Sequence, residues 1–228
     1  MSRTDLKTRA AERALDFLDG VRRLGLGTGS TAERFTRRVG ELYQAGELPD
    51  LLAVPTSNAT AELAREWGIP LTTLDEEPEL DLTVDGADEV DPHLDLIKGL
   101  GGALTREKIV AHASRRYAII IDESKRVERL GTRGPVPIEV LAFARGPVEL
   151  ALQGWGAATS WRGDEDRLFK TDEGNLILDA AFEDGIADPE GLDQWLNGLP
   201  GVVEHGLFRG MTDAVVVASE SGVEVLSG

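Results

Sequence analysis

The chain has 228 residues and 41% hydrophobic content, which is enough for the core of one large domain, or of one large and one small domain. Its formal net charge is −17, and such an acidic surface argues against nucleic acid and anionic membranes as partners. Cysteine is absent, so disulfide and thiolate chemistry are excluded. We expect a cytoplasmic protein, since the sequence shows neither a bilayer-spanning apolar run nor the features of a signal peptide.

Helix-like and strand-like segments alternate through the first half of the chain. The apolar spacing predicts helices at 4–19, 31–44, 58–67 and 105–114, the third with Asn58 as its N-cap. Nearly continuous apolar runs predict buried strands at 22–26, 51–54, 80–84 and 117–121. This alternation is typical of an α/β fold with a parallel sheet covered by helices on both faces.

The pattern changes near residue 131. We predict strands at 136–141, 157–161, 168–171 and 175–180, with the last two paired as a hairpin through a turn at 172–174. Helices are predicted at 147–153 and from Asp188, where an Asp cap precedes Pro189. Residues 131–206 are therefore expected to form a small α+β domain. A β-branched strand at 214–218 could return to the first sheet.

A glycine-rich turn, Gly25-Leu26-Gly27-Thr28-Gly29-Ser30-Thr31-Ala32, joins the first predicted strand to a helix. Its glycines allow close approach to a ligand, and the free N–H groups of a helix start can bind an anion. We interpret the turn as a phosphate site, while a tight turn capped by a hydroxyl is an equally good explanation. A P-loop is excluded because no lysine follows Gly29. A dinucleotide site lacks the acidic residue expected where the second strand ends.

Three carboxylates and a lysine follow the next predicted strands. Asp85 and Asp88 come after strand 80–84, Lys98 precedes a glycine loop, and Glu107 lies at a helix start. Taken singly, the aspartates could be turn residues and Glu107 could simply favour the helix dipole. Together they map to the carboxyl edge of the sheet, where ligands of open α/β sheets gather, and predict a proton-handling site. Scattered histidines and absent cysteines predict no metal ion.

The order and spacing of several motifs point to one family. The chain contains Val84-Asp85-Gly86-Ala87-Asp88-Glu89 and Leu104-Thr105-Arg106-Glu107-Lys108. Further matching segments are 27–32, 97–99, 122–125, 135–140, 171–175, 198–203 and 206–208. Together they resemble ribose-5-phosphate isomerase of the A type over nearly the whole chain.

This resemblance implies a Rossmann-like domain at 1–130 and 207–228, with a small ferredoxin-like α+β domain at 131–206. It also implies a homodimer or homotetramer and no metal or organic cofactor. The implied catalytic residues are Glu107 as general base, Asp85, Asp88 and Lys98. The implied substrate-binding residues are Lys7, Thr28, Gly29, Ser30, Thr31, Gly86, Ala87, Gly99, Leu100, Gly101 and Lys125. The family loop after the lysine usually has three consecutive glycines, so Leu100 departs from it.

The implied reaction moves a proton between C2 and C1 of a pentose phosphate through an enediolate. One carboxylate can carry out both transfers, and we assign this role to Glu107, with a pKa raised by partial burial. Lys98 would stabilise the developing oxyanion. Two other classes stay open: a non-catalytic sugar-phosphate effector module, and a CoA transferase or sugar-phosphate deaminase on a similar scaffold.

Overall fold

A computed structural model describes residues 2–164 and 167–227. The helices in chain order are α1 (Arg3–Ala14), α2 (Ala32–Gln44), α3 (Asn58–Glu66), α4 (Leu104–His112), α5 (Arg145–Gly154) and α6 (Pro189–Asn197). The strands are β1 (Arg23–Leu26), β2 (Leu52–Pro55), β3 (Leu82–Asp85), β4 (Glu89–Val90), β5 (Leu96–Ile97), β6 (Tyr117–Asp122), β7 (Val136–Val140), β8 (Ala158–Trp161), β9 (Gly163–Asp164), β10 (Arg167–Leu168), β11 (Leu176–Ala181), β12 (Val202–His205), β13 (Leu207–Phe208), β14 (Ala214–Ser219) and β15 (Gly222–Ser227).

The chain divides into two compact units. The first contains residues 2–87, 106–125 and 210–227, and the second contains 88–105, 126–164 and 167–209. The small domain expected at 131–206 falls within the range of the second unit, which also takes in 88–105, 126–130 and 207–209. The added segments carry β4, β5 and β13, strands of two residues each, which are too short for periodicity to detect.

The first unit is built on a six-stranded sheet with the order β15-β14-β6-β3-β1-β2. All neighbouring strands are parallel except β15, which pairs antiparallel with β14. The prediction of a helix-covered parallel sheet is confirmed, and so is the return of the last predicted strand to it. Such sheets bring the carboxyl ends of their strands to one edge.

Both faces of this sheet are covered because its central strands are apolar on both sides. Leu24 and Leu26 share a buried cluster with Ala10 of α1 and Phe35 of α2. On the other face, Val110 of α4 packs with residues of β2 and the segment before β3.

The N-cap of helix α3 lies one residue earlier than the sequence predicts. Its N-cap is Ser57, whose hydroxyl accepts a hydrogen bond from the Thr60 N–H at 3.1 Å, and Asn58 is the first helical residue. The prediction of Asn58 as cap is therefore wrong. Both residue types are good caps, and Ser57 has the extended backbone that a cap requires.

The second unit contains an antiparallel sheet of order β12-β7-β11-β8, a three-stranded sheet β13-β5-β4 and the pair β9-β10. Helices α5 and α6 contribute Val148, Leu152, Leu192 and Leu196 to a core shared with β7 and β11. The ferredoxin-like topology of the small domain stays a prediction. Among the described residues, no helix is long and apolar enough to cross a bilayer.

The hairpin predicted between 168–171 and 175–180 does not form. β11 pairs with β7 and β8, whereas β10 pairs with β9. The residues between them close a turn on a buried carboxylate: the Thr171 hydroxyl and the Asn175 side-chain amide donate to Glu139 Oε1 at 2.8 and 2.9 Å. Hydrogen bonds to Glu139, a residue distant in sequence, thus hold the turn at 171–175.

Candidate active site

The turn that follows β1, residues 27–31, is tied to the end of β3 by one carboxylate. Asp85 is fully buried, and its Oδ1 accepts hydrogen bonds from the backbone N–H of Thr28 at 3.0 Å and of Gly86 at 2.7 Å. A Cβ on Gly27 would lie 2.2 Å from the same Oδ1, so only glycine fits there. We call residues 27–31 the serine turn. Thr28 and Asp85, both predicted as site residues, are therefore joined directly by a hydrogen bond.

The Thr28 side chain is engaged within the protein. Its hydroxyl lies 2.7 Å from the Thr56 hydroxyl, 2.9 Å from Ser57 Oγ and 3.1 Å from the Thr60 hydroxyl. This cluster joins the serine turn to the end of β2 and the start of α3. Sequence reasoning missed Thr56, Ser57 and Thr60, although Thr56 and Ser57 follow a strand at the edge where ligands gather.

Gly29 and Thr31 set the backbone of the rest of the serine turn. Gly29 has a φ of +108°, a conformation that favours glycine. Thr31 is the N-cap of α2 but its side chain makes no capping hydrogen bond. The alternative explanation, a turn capped by a hydroxyl, therefore gains no support from Thr31.

Ser30 is exposed and accepts a hydrogen bond from Lys7 Nζ of α1 at 2.7 Å. Burial lowers the pKa of Lys7, the positive charges of Arg3, Lys125 and Arg34 lower it further, and Asp122 opposes them. Lys125 ends a short 3₁₀ helix after β6. Several cations therefore act on the amine that holds Ser30, which is the electrostatic setting of an anion site.

Asp122 is the counter-charge of this group of cations. Although burial raises its pKa, hydrogen bonds from Ser124 and the charges of Arg3 and Lys7 outweigh it and hold the pKa below its usual value. Arg3 Nε lies 3.5 Å from Asp122 Oδ2, and the Ser124 N–H donates to Oδ1 at 3.1 Å. Sequence reasoning did not select Asp122 as a site residue.

Glu107 lies in the first turn of α4 and is 4% exposed. The side chain of its neighbour Arg106 donates to Asn58 Oδ1 of α3 at 2.9 Å. A carboxylate removed from water is a stronger base than an exposed one, because burial disfavours its charged form. Glu107, Asp85 and the serine turn all belong to the first unit.

Asp88 and Lys98 belong to the second unit. The Lys98 side chain is buried, with Nζ 5.6 Å from the centroid of the Phe208 ring. Its backbone N–H donates to Gly206 O at 2.9 Å. A Cβ on Gly206 would lie 2.3 Å from the Lys98 carbonyl oxygen, so this close approach requires glycine.

Residues 98–102 form what we call the lysine loop. Gly99 and Gly102 have φ values of +95° and +85°, whereas Leu100 is not among the residues with positive φ. The Leu100 N–H donates to Asp88 Oδ2 at 3.0 Å, and its side chain is 43% exposed. Leu100 therefore replaces glycine without backbone strain. A Cβ on Gly101 would meet nothing within 4 Å.

The structure thus groups the predicted residues in two sets. In the first unit, hydrogen bonds join Asp85 to Thr28 and Gly86, another joins Lys7 to Ser30, and the charge of Lys125 acts on Lys7. In the second unit, a hydrogen bond joins Asp88 to Leu100. Ala87 ends the first unit's segment directly before Asp88. In the described part of the chain, no group of three or more His, Cys, Asp or Glu residues is placed to hold a metal ion.

Comparisons with known proteins agree with one another. The model of the family described as "Ribose 5-phosphate isomerase A (phosphoriboisomerase A)" matches residues 52–222. The chain is 52% identical to the ribose-5-phosphate isomerase A of Roseiflexus castenholzii, over 95% of this chain and 93% of that protein. A solved D-ribose-5-phosphate isomerase in complex with phospho-erythronic acid has a TM-score of 0.96, 40% identity and full coverage of both chains. The ribose 5-phosphate isomerase A of Methanocaldococcus jannaschii has a TM-score of 0.93 and 40% identity, again with full coverage of both.

Proposed function

We infer the function of this chain from its family: it belongs to the ribose 5-phosphate isomerase A family, and we propose that it interconverts ribose 5-phosphate and ribulose 5-phosphate. The observation that carries the proposal is the serine turn. One end of it donates to the buried carboxylate of Asp85, and Ser30 at the other end is held by Lys7. The serine turn therefore links the proposed anion-binding group, at Ser30, to the proposed proton-handling carboxylate, Asp85.

The phosphate of the substrate would bind at the serine turn. Ser30, Thr31 and free N–H groups at the start of α2 offer hydrogen-bond donors, and Lys7 and Lys125 offer positive charge. This binding is remote from the bonds that change. Its contribution is to orient C1 and C2 of the sugar against the groups that move the proton.

Glu107 would take the proton from C2 and return it at C1 on the same face of the enediolate. Its burial supports this role, since a carboxylate shielded from water is matched to proton transfer near neutral pH. Lys98 would stabilise the negative charge that develops on the sugar oxygens. Asp85, supported by Asp88, would open the furanose ring or move protons between the oxygens.

The solved relative with phospho-erythronic acid supports this assignment of charges. A phosphorylated sugar acid combines a phosphate with a carboxylate, and the carboxylate resembles the enediolate in charge and planarity. A protein that binds such a molecule offers positive charge or hydrogen-bond donors at both ends. In this chain, we assign the phosphate end to Lys7 and Ser30 and the enediolate end to Lys98.

Conversion of ribose 5-phosphate by the purified wild type and by Glu107→Gln tests the proposal. The wild type should form ribulose 5-phosphate. The variant should lose activity by orders of magnitude while calorimetry shows that it still binds ribose 5-phosphate. Glu62→Gln, at an exposed position on α3, is the matched control and should keep full activity. Binding without turnover by the wild type would instead favour an effector module.

We also propose that the chain forms a homodimer or homotetramer. Apolar side chains are exposed in the second unit, with Phe143 fully exposed and Leu150 of α5 71% exposed. Exposed apolar groups of this size are common at interfaces between subunits. Light scattering after size exclusion should give a multiple of the 24.6 kDa chain mass. The double variant Phe143→Ser and Leu150→Ser should have a lower molar mass than the wild type. A monomeric wild type would contradict the proposal.

A further inference from the structure

The lysine loop is held by a residue from a distant part of the second unit. We propose that Arg162, oriented by Asp179, is a positioning residue for Lys98. The inference rests on the role given to Lys98 under the proposed function. Arg162 follows β8 directly, and its backbone N–H donates to Ile177 O of β11 at 2.9 Å, so its own backbone is fixed by the sheet.

Asp179 fixes the plane of the Arg162 guanidinium. Nε donates to Asp179 Oδ2 at 2.9 Å and Nη2 donates to Oδ1 at 2.5 Å, which is the two-bond geometry that arginine forms with a carboxylate. Both side chains are largely buried, at 17% and 16% exposure. The pair is therefore shielded from the solvent that weakens surface ion pairs.

The remaining nitrogen of Arg162 contacts the lysine loop. Nη1 donates to Gly99 O at 2.9 Å and to Leu100 O at 3.1 Å. These two carbonyls immediately follow Lys98 in the chain. Lysine at position 162 could not make the same set of bonds, because a single ammonium group lacks the planar fork that serves a carboxylate and two carbonyls at once.

The peptide bond between Gly99 and Leu100 is therefore bound on both sides. Its oxygen accepts from Arg162, and its N–H donates to Asp88 at 3.0 Å. A cation at the oxygen polarises the peptide and strengthens the bond that its N–H makes. Arg162 thereby restricts the loop next to Lys98 and also orients Asp88, a second residue proposed to act on the substrate.

This arrangement uses main-chain atoms of the loop, so it does not depend on the side chain at position 100. Phe169 packs at the other end, where a Cβ on Gly102 would lie 2.5 Å from its ring. The Arg162 guanidinium lies 5.9 Å from the centroid of the same ring. Arg162, Asp179 and Phe169 together fix the loop from outside the set of residues that the reaction would use.

Steady-state kinetics of Arg162→Ala, Arg162→Lys and Asp179→Asn test the inference. We expect kcat to fall about 100-fold in Arg162→Ala, as for a displacement of a catalytic group by about 1 Å, and less in Asp179→Asn, with KM changed little. Arg145→Ala is the matched control. Arg145 is an exposed arginine of the same unit that lies over the Trp161 ring, and its removal should leave kcat unchanged.

A double-mutant cycle decides whether the effect passes through Lys98. In the Lys98→Ala background, Arg162→Ala should reduce kcat much less than in the wild type, because the group it positions is gone. An equal loss in both backgrounds would overturn the inference. Wild-type activity of Lys98→Ala alone would instead remove the role given to Lys98.

Hydrogen–deuterium exchange gives a readout that needs no turnover. Amide exchange across residues 99–102 should rise in Arg162→Lys and Asp179→Asn and stay at the wild-type rate in Arg145→Ala. Unchanged exchange in both variants would overturn the inference even if activity falls. These two conservative variants also serve if Arg162→Ala fails to fold.

Discussion

The serine turn and the lysine loop are both glycine-containing, yet the protein holds them in different ways. The serine turn is held through its main chain and through a side chain: Asp85 accepts from the Thr28 N–H and leaves no room for a Cβ at Gly27, and Lys7 holds the Ser30 hydroxyl. The lysine loop is fixed through its main chain, by Asp88 and Arg162. Residue types in the first segment should therefore be restricted, whereas position 100 in the second tolerates a leucine.

Among the changes that compare the two segments, Gly27→Ala should have the largest effect. The added methyl would lie 2.2 Å from Asp85 Oδ1, so either the turn or the end of β3 must move. Overpacking of this kind costs about 1–3 kcal/mol of stability, and a displacement of about 1 Å lowers kcat about 100-fold. Thermal unfolding and kinetics measure both. Gly101→Ala is the control, since its methyl meets nothing within 4 Å; equal losses in the two variants would erase the contrast between the segments.

Removal of the Lys7 charge should act on binding more than on turnover. Lys7→Met removes a charge-assisted hydrogen bond to Ser30 and a cation beside the proposed phosphate site, so KM for ribose 5-phosphate should rise about tenfold or more. The kcat should change less, because Lys7 does not touch the reacting carbons. Lys170→Met, at an exposed lysine, should leave KM unchanged, and a loss in kcat alone would place Lys7 elsewhere in the reaction.

The pH dependence of KM should reflect the titration of Lys7. Burial lowers the pKa of Lys7, so it loses its proton at a lower pH than an exposed lysine does. Phosphate binding is then complete below that pKa and weakens as the pH rises through it, which predicts a KM that increases several-fold on the alkaline side. Lys7→Arg keeps its charge at all these pH values and should remove the increase. An identical alkaline profile in this variant would assign the titration to another group.

The smallest effect is expected for Leu100→Gly. The side chain is 43% exposed and the backbone is held by Asp88 and Arg162, so kcat and KM should both stay within about twofold, as for a surface change of about 0.5 kcal/mol. Kinetics of this variant sharpen the comparison with Gly27. A large loss would show that the leucine side chain itself contributes to the site.

The sequence predicts the features that depend on local patterns. Alternating helices and apolar strands give the parallel sheet, and residues placed directly after strands, such as Asp85 and Ser30, can be assigned to its carboxyl edge. The N-cap of α3 shows the limit of local rules. Ser57 and Asn58 are adjacent and have similar capping propensity, so the backbone geometry determines which of them is the N-cap.

The features that could not be predicted depend on pairs distant in the chain. Glu139 accepts hydrogen bonds from the turn at 171–175. Arg162 donates to the lysine loop, which lies more than sixty residues earlier in the chain. Glu139 lies in the family-matching segment 135–140, but that segment alone predicts no partner for its carboxylate, and Arg162 lies in none of the matching segments. The pairing of β4, β5 and β13 could not be predicted for a related reason, since strands of two residues acquire their partners only in the folded unit.

The central claim is that Glu107 carries the proton between C2 and C1, and exchange at C2 in heavy water tests it most directly. NMR of ribose 5-phosphate incubated with the wild type should show deuterium entering at C2, and Glu107→Gln should abolish this exchange while still binding the sugar phosphate. Exchange by the variant at the wild-type rate would contradict the account.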